Sequence, residues 1–182
     1  MQGDTAIVES AAPTLRQQKQ RESKIFAVLN ATGAWVDHTL QSMAQASPRL
    51  IGGTKGSHLF VFHDGLQELL HGKGVYVEAE DGRPIFILPL GKCVLVGTTD
   101  EPFEAPPETA VATEPEVDYL LRAVKTVFPQ AGVTREHVNF HGCGVRPLPF
   151  VDASKPSAIT RRHSLHFHED APLPLWSVIG GK

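Results

Sequence analysis

Lys55-Gly56-Ser57-His58 sets a lysine and a histidine beside a glycine where a predicted strand begins. A histidine at a strand edge can take or shuttle a proton near neutral pH if it faces a cavity, and a hydrogen-bonded surface histidine would look the same in sequence. Gly144-Val145-Arg146-Pro147-Leu148 places one arginine in an otherwise apolar, proline-stiffened segment. Burying a guanidinium alone is expensive, so Arg146 needs either an internal carboxylate or a ligand anion. Ala31-Thr32-Gly33 follows an apolar run and could lay its backbone against a phosphate, or form only a tight turn with a capping threonine. Ile179-Gly180-Gly181-Lys182 offers close backbone approach followed by a cation, or a frayed end. Arg161 and Arg162 fall on a predicted strand and point to opposite faces, so at most one lines a given site.

Two further groupings are weaker. His166 and His168 share a strand face near His163, but no neighbouring cysteine or carboxylate clearly completes a tetrahedral set, and no metal is assigned. Gly142-Cys143-Gly144 runs on into Val145, Arg146 and Pro147, so it is not the G-x-G-x-x-G loop that cradles a dinucleotide phosphate.

The elements that must position these residues are short. Ile25 to Leu29 reads as a buried strand, the Asn30 to Gly33 turn follows it, and Trp35 to Gln45 is amphipathic at helical spacing. Strands are expected at Leu59 to Phe62, Gly74 to Ala79, Pro84 to Leu90 and Cys93 to Val96, with a hairpin at Asp81-Gly82. Their short connections imply antiparallel pairing. Val117, Leu120, Leu121, Val124, Val127 and Phe128 line one helix face; Thr113-Glu114-Pro115-Glu116 supplies its capping box and Pro129 stops it. More strands are predicted at Val138 to Phe140, Ala158 to Arg161, Ser164 to His168 and Leu175 to Ile179. The polar, mixed-charge segment 1–23 reads as a flexible arm.

Composition narrows the class. The chain has 182 residues, 41% hydrophobic and 20% charged, with 16 Gly and 14 Pro. That describes one globular core with many turns and excludes a bundle of long helices. A net charge of −3 cannot hold the chain on nucleic acid or anionic lipid by charge alone. Cys93 and Cys143 are too few for a disulfide scaffold, which makes a reducing compartment the default.

The order of the motifs says more than any one of them. Asn30-Ala31-Thr32-Gly33-Ala34-Trp35, Lys55-Gly56-Ser57-His58, Gly97-Thr98-Thr99-Asp100, Gly144-Val145-Arg146-Pro147-Leu148, Ile159-Thr160-Arg161 and Gly180-Gly181-Lys182 follow one another in a series that closely resembles the FAD-dependent, respiratory glycerol-3-phosphate dehydrogenases of the D-amino-acid-oxidase-like flavoprotein superfamily. The resemblance covers residues 24–182. Ala34 stands where that family commonly has proline, and Arg162 where an acid is common, which bears on the orientation of Arg161.

The resemblance implies an α+β chain: the strand-turn-helix end of a Rossmann-like FAD domain at 24–46, then a substrate domain on a mostly antiparallel sheet at 47–182. It implies oxidation of sn-glycerol 3-phosphate to dihydroxyacetone phosphate, with electrons passing through FAD to a quinone. By motif, His58 and Arg146 would sit beside the reacting carbon, Arg161 near the phosphate and Lys182 near flavin and substrate. Ala31, Thr32, Gly33, Gly180 and Gly181 would line the FAD. Without the glycine-rich dinucleotide loop, the isolated chain is expected to bind FAD weakly or not at all. The implied location is cytoplasmic, with peripheral contact between the full-length protein and the inner membrane face. Two alternatives stand beside this reading. One is a related FAD-dependent oxidase of amines or amino acids, in which Arg146 would hold a carboxylate; the other is a non-catalytic module.

Overall fold

A computed structural model describes residues 24–151 and 162–180. The arm at 1–23, the strand expected at 158–161 with Arg161, and Gly181 and Lys182 lie outside them.

Strand β1 (Val28–Asn30) leads through a 3-10 turn (Gly33–Trp35) into helix α1 (Val36–Ser42). The helix is shorter than its amphipathic stretch, ending before Ala44, whose φ of 54° is left-handed. The central sheet contains β2 (Thr54–Val61), β3 (Val75–Glu78), β4 (Pro84–Leu90), β5 (Cys93–Gly97), β6 (Glu101–Pro102) and β7 (Val138–Arg146). Every pairing in it is antiparallel. Its order is β3-β4-β5-β2-β7, with β6 taking over from β5 beside the first residues of β2. A second, three-stranded sheet runs β1-β9-β8, from β8 (Ser164–Phe167) and β9 (Leu175–Ile179), with β1 parallel to β9.

Alternation along the strands makes one face of the large sheet apolar. Leu59, Val61, Ile85, Ile87, Val94 and Val96 all turn toward helix α3 (Glu114–Val127) and are fully buried. From α3 come Val117, Leu120, Leu121 and Val124, the stripe expected from the sequence, and the Thr113–Glu116 capping box is formed. Helix α2 (Asp64–Leu70) covers the same face and was not anticipated. It buries only Leu66 and Leu70, too few to set up a helical period, and its cap is His63, whose Nδ1 accepts the Leu66 amide at 3.1 Å. A smaller core of Val36, Leu40, Leu50, Ile51, Leu175 and Ile179 joins α1 to the small sheet.

Because Leu121 is only 5% exposed, Leu121→Ala is expected to destabilise the protein by about 2–5 kcal/mol. Chemical denaturation measures this; a loss under about 0.5 kcal/mol, the range of surface substitutions, would contradict the placement of α3.

Candidate active site

Strand β2 begins at Thr54, earlier than the apolar pattern suggested, so Lys55-Gly56-Ser57-His58 forms the second to fifth residues of the strand. Alternation then divides the motif between two faces. Lys55 and Ser57 point to the helix-covered side, and Gly56 and His58 to the other. The lysine and histidine therefore cannot share a cavity. Lys55 Nζ donates to Glu116 Oε2 at 2.6 Å and to the Val111 carbonyl at 2.7 Å, with both ionic side chains nearly sealed from solvent. Glu116 Oε1 also accepts from the Ser57 hydroxyl at 2.8 Å and the Thr99 hydroxyl at 2.7 Å. Its Oε2 accepts from the amide and the hydroxyl of Thr113, each at 2.9 Å. Burial alone would raise the Glu116 carboxyl; the hydrogen bonds from Lys55, the Thr113 amide, Thr99 and Ser57 outweigh it and hold the group at about 2.

On the opposite face, β7 runs beside β2 with Arg146 opposite Thr54, Gly144 opposite Gly56 and Gly142 opposite His58. Arg146 thus stands on the same face as His58. Its internal carboxylate is Asp100, reached by Nη1 at 2.9 Å; Nη2 donates to the Thr99 carbonyl at 2.8 Å and the Thr98 hydroxyl at 3.2 Å. The guanidinium folds back over Gly56, where a Cβ would collide with it and with the Thr98 hydroxyl. Position 56 is two residues, roughly 7 Å, from His58 along the strand. The His58 ring in turn lies across Gly97, its partner in β5, where a Cβ would strike the ring. Gly144, by contrast, has open space above it. A histidine and an arginine therefore border a strip of bare backbone.

This strip adjoins the small sheet. Asn30 pairs in register with Ser177, so the Ala31-Thr32-Gly33 turn and Gly180 both follow the carboxyl ends of the parallel strands β1 and β9. Outside such ends, α/β sheets leave a crevice for ligands. Thr32 donates its hydroxyl to Asn30 Oδ1 at 2.7 Å, and Gly33 takes the left-handed φ of 65°. The Gly33–Trp35 turn lies against β7. Gly180 donates its amide to the Pro147 carbonyl at 2.7 Å, one residue beyond Arg146. Its φ of 82° and its contact with the Arg162 carbonyl admit only glycine. His58 and Arg146 share one sheet face, the Gly33–Trp35 turn touches β7 and Gly180 bonds Pro147, whereas Arg161, Gly181 and Lys182 lie outside the described residues.

Other features lie elsewhere. A cavity of about 420 Å³ between α1 and the segment 103–108 is lined by Asp37, Arg49, Phe103, Glu108 and Val145. Val145 faces away from Arg146 by alternation, so this space is separate from the glycine strip. His166 and His168 stack edge to face with centroids 4.8 Å apart, and His168 Nε2 pairs with the Ser177 hydroxyl at 2.9 Å. Among the described residues no three His, Cys, Asp or Glu side chains gather as a metal site would require.

The sequence alone marks Glu116 only as part of a helix cap and Thr99 and Asp100 only as part of a motif. Their signal was the polar pair Lys55 and Ser57 at positions where β2 faces the core, since buried polar groups need partners.

Comparison with known proteins identifies the family. A family model described as FAD dependent oxidoreductase matches residues 4–169, reaching back into the segment read as an arm. The chain is 42% identical over 167 residues to a glycerol-3-phosphate dehydrogenase of Synechocystis, covering 85% of this chain and 29% of that protein. It is 37% identical over 174 residues to the D-erythritol 1-phosphate dehydrogenase of Brucella abortus, covering 92% of this chain and 33% of the relative. The solved structure of glycerol-3-phosphate dehydrogenase from Bacillus halodurans, complexed with FAD, superposes with a TM-score of 0.67 at 28% identity, over 86% of this chain and 28% of that one. The chain thus spans about a third or less of the length of these proteins. With most of its length matched, the chain belongs to the FAD dependent oxidoreductase family.

Proposed function

We propose that this chain is the substrate-facing part of a flavoprotein that oxidises sn-glycerol 3-phosphate to dihydroxyacetone phosphate. The observation that carries the reading is the single sheet face on which His58 and Arg146 border bare glycine backbone, beside the ends of β1 and β9. Residues 24–46 are read as the end of a Rossmann-like FAD domain and 47–182 as the substrate domain.

The residues fit the cofactor. Gly144 has no side chain and open space above it, so a flat ring can approach the backbone; the Ala31, Thr32 and Gly33 turn, with Gly180 and Gly181, would hold the rest. When bound, FAD supplies the acceptor for the hydride and passes the electrons on to a quinone. His58 takes the hydroxyl proton of the substrate as its carbon is oxidised. Arg146, fixed by Asp100 and the Thr99 carbonyl, directs its guanidinium at the oxygen that becomes the ketone. Arg161 and Lys182 are assigned by motif to the phosphate and to the flavin side of the substrate. No helix among the described residues is long and apolar enough to cross a membrane; contact with a quinone is assigned to a peripheral surface of the full-length protein.

The test is anaerobic bleaching of the full-length flavoprotein. Glycerol 3-phosphate is expected to reduce the flavin stoichiometrically. Bleaching by D-erythritol 1-phosphate alone would move the substrate within the polyol phosphates, and bleaching by an amine or amino acid alone would overturn the reading.

A further inference from the structure

We propose that Glu116 is a positioning residue for the His58–Arg146 face, acting through Ser57 and Thr99 from the opposite side of the sheet. The inference deepens the functional reading above and rests on it.

A capping box needs only the reciprocal contacts between Thr113 and Glu116. Here the same carboxylate also takes hydrogen bonds from Lys55 and Ser57 of β2 and from Thr99 of the segment between β5 and β6. None of these is required to start a helix. A buried ion pair is in itself poor evidence of stabilisation, since apolar residues of similar volume often do as well. What the carboxylate adds is a fixed relation between the helix end and two segments of the sheet.

Those segments are the ones that hold the other face. Thr99 turns its hydroxyl to Glu116 while its carbonyl accepts from Arg146 Nη2 at 2.8 Å. The Thr99 hydroxyl also accepts the Ser57 amide at 2.8 Å, and the Thr99 amide donates to the Ser57 carbonyl at 3.3 Å. His58 follows Ser57 directly, and Asp100, the carboxylate paired with Arg146, follows Thr99. Removing the Glu116 charge therefore loosens the anchors of Arg146 and His58 together, without touching either side chain.

The experiment uses the full-length flavoprotein and stopped-flow flavin reduction at saturating glycerol 3-phosphate. Misfolding reduces the amplitude of the reaction, because fewer molecules hold flavin, whereas a displaced arginine or histidine lowers its rate constant. Glu116→Gln and Thr99→Val are expected to lower the rate constant by about 10-fold to 100-fold, the scale of a displacement of about 1 Å or less at a reacting group. Thr99→Ser, which keeps the hydroxyl, should restore it. Glu114→Gln, on the same helical turn but outside the network, should leave it unchanged. Loss of amplitude with an unaltered rate constant in Glu116→Gln and Thr99→Val would overturn the proposal. If glycerol 3-phosphate does not reduce the wild-type flavin, it is the functional reading that fails. Melting temperatures of Glu116→Gln, Arg146→Lys and the double variant then decide: non-additive shifts support the coupling, and additive shifts overturn it.

Discussion

Arg146→Lys in the full-length flavoprotein is expected to lower the rate constant of flavin reduction at saturating glycerol 3-phosphate by about 10²–10³-fold, the usual effect of losing one preorganised donor. The guanidinium spans Asp100, the Thr98 hydroxyl and the Thr99 carbonyl while overlying Gly56. An ammonium keeps the charge but has no planar fork, so it cannot satisfy these partners and present a donor in a fixed direction. The interaction assigned to Arg146 strengthens as the ketone oxygen forms, so the chemical step should suffer more than binding. Arg161→Lys, which would alter a phosphate contact present before and during the reaction, should chiefly raise KM. The competing view makes Arg146 only an internal ion-pair partner of Asp100. In that case its replacement lowers the melting temperature and leaves the rate constant of the remaining folded enzyme intact. A stable Arg146→Lys protein with a normal rate constant would end the catalytic assignment.

Breaking the ion pair on the other face should have the largest effect on stability. Lys55→Met removes the ammonium and leaves the Glu116 charge buried, at a cost of about 3–5 kcal/mol. The pH dependence follows from the carboxyl itself. Glu116 is lowered from 4.5 to about 2 in the fold, where burial is outweighed by hydrogen bonds from Lys55, the Thr113 amide, Thr99 and Ser57. The folded state therefore binds this proton less readily than the unfolded chain. The resulting contribution, about 3 kcal/mol, is fully present above pH 4.5 and disappears as pH falls through 2. Thermal melts across that window should show a steep acid loss in the wild type. In Lys55→Met, whose Glu116 has lost its strongest partner and titrates higher, the loss should be shallower. Equal slopes in the two proteins would contradict the assigned role of the pair.

The sequence pattern located elements where side chains alternate and missed them where they do not. Helix α3 was legible from its apolar stripe and capping box. The apolar pattern starts strand β2 late because Lys55 and Ser57 are polar yet buried, and polarity reads as exposure until Glu116 is brought opposite. The pattern ends strand β7 at Phe140 because Gly142 and Gly144 have no side chains to display a period, although their bareness forms the strip beside His58. The partner of Arg146 was open between an internal carboxylate and a ligand because Asp100 lies 46 positions away in sequence, joined to it only by strand register. The motif order identified the family, but a list of motif residues could not separate the two faces of the sheet. Register does so: Lys55 and Ser57 face helix α3, and His58 faces the side proposed to react.

The most direct test of the central claim, that cofactor and substrate meet on the His58–Arg146 face, is a crystal structure of the full-length protein with FAD bound. The flavin ring is expected against the glycine strip bordered by His58 and Arg146, with the Ala31–Gly33 turn and Gly180 in contact with the cofactor. A flavin ring against the helix-covered face, or in the cavity between α1 and the segment 103–108, would contradict it.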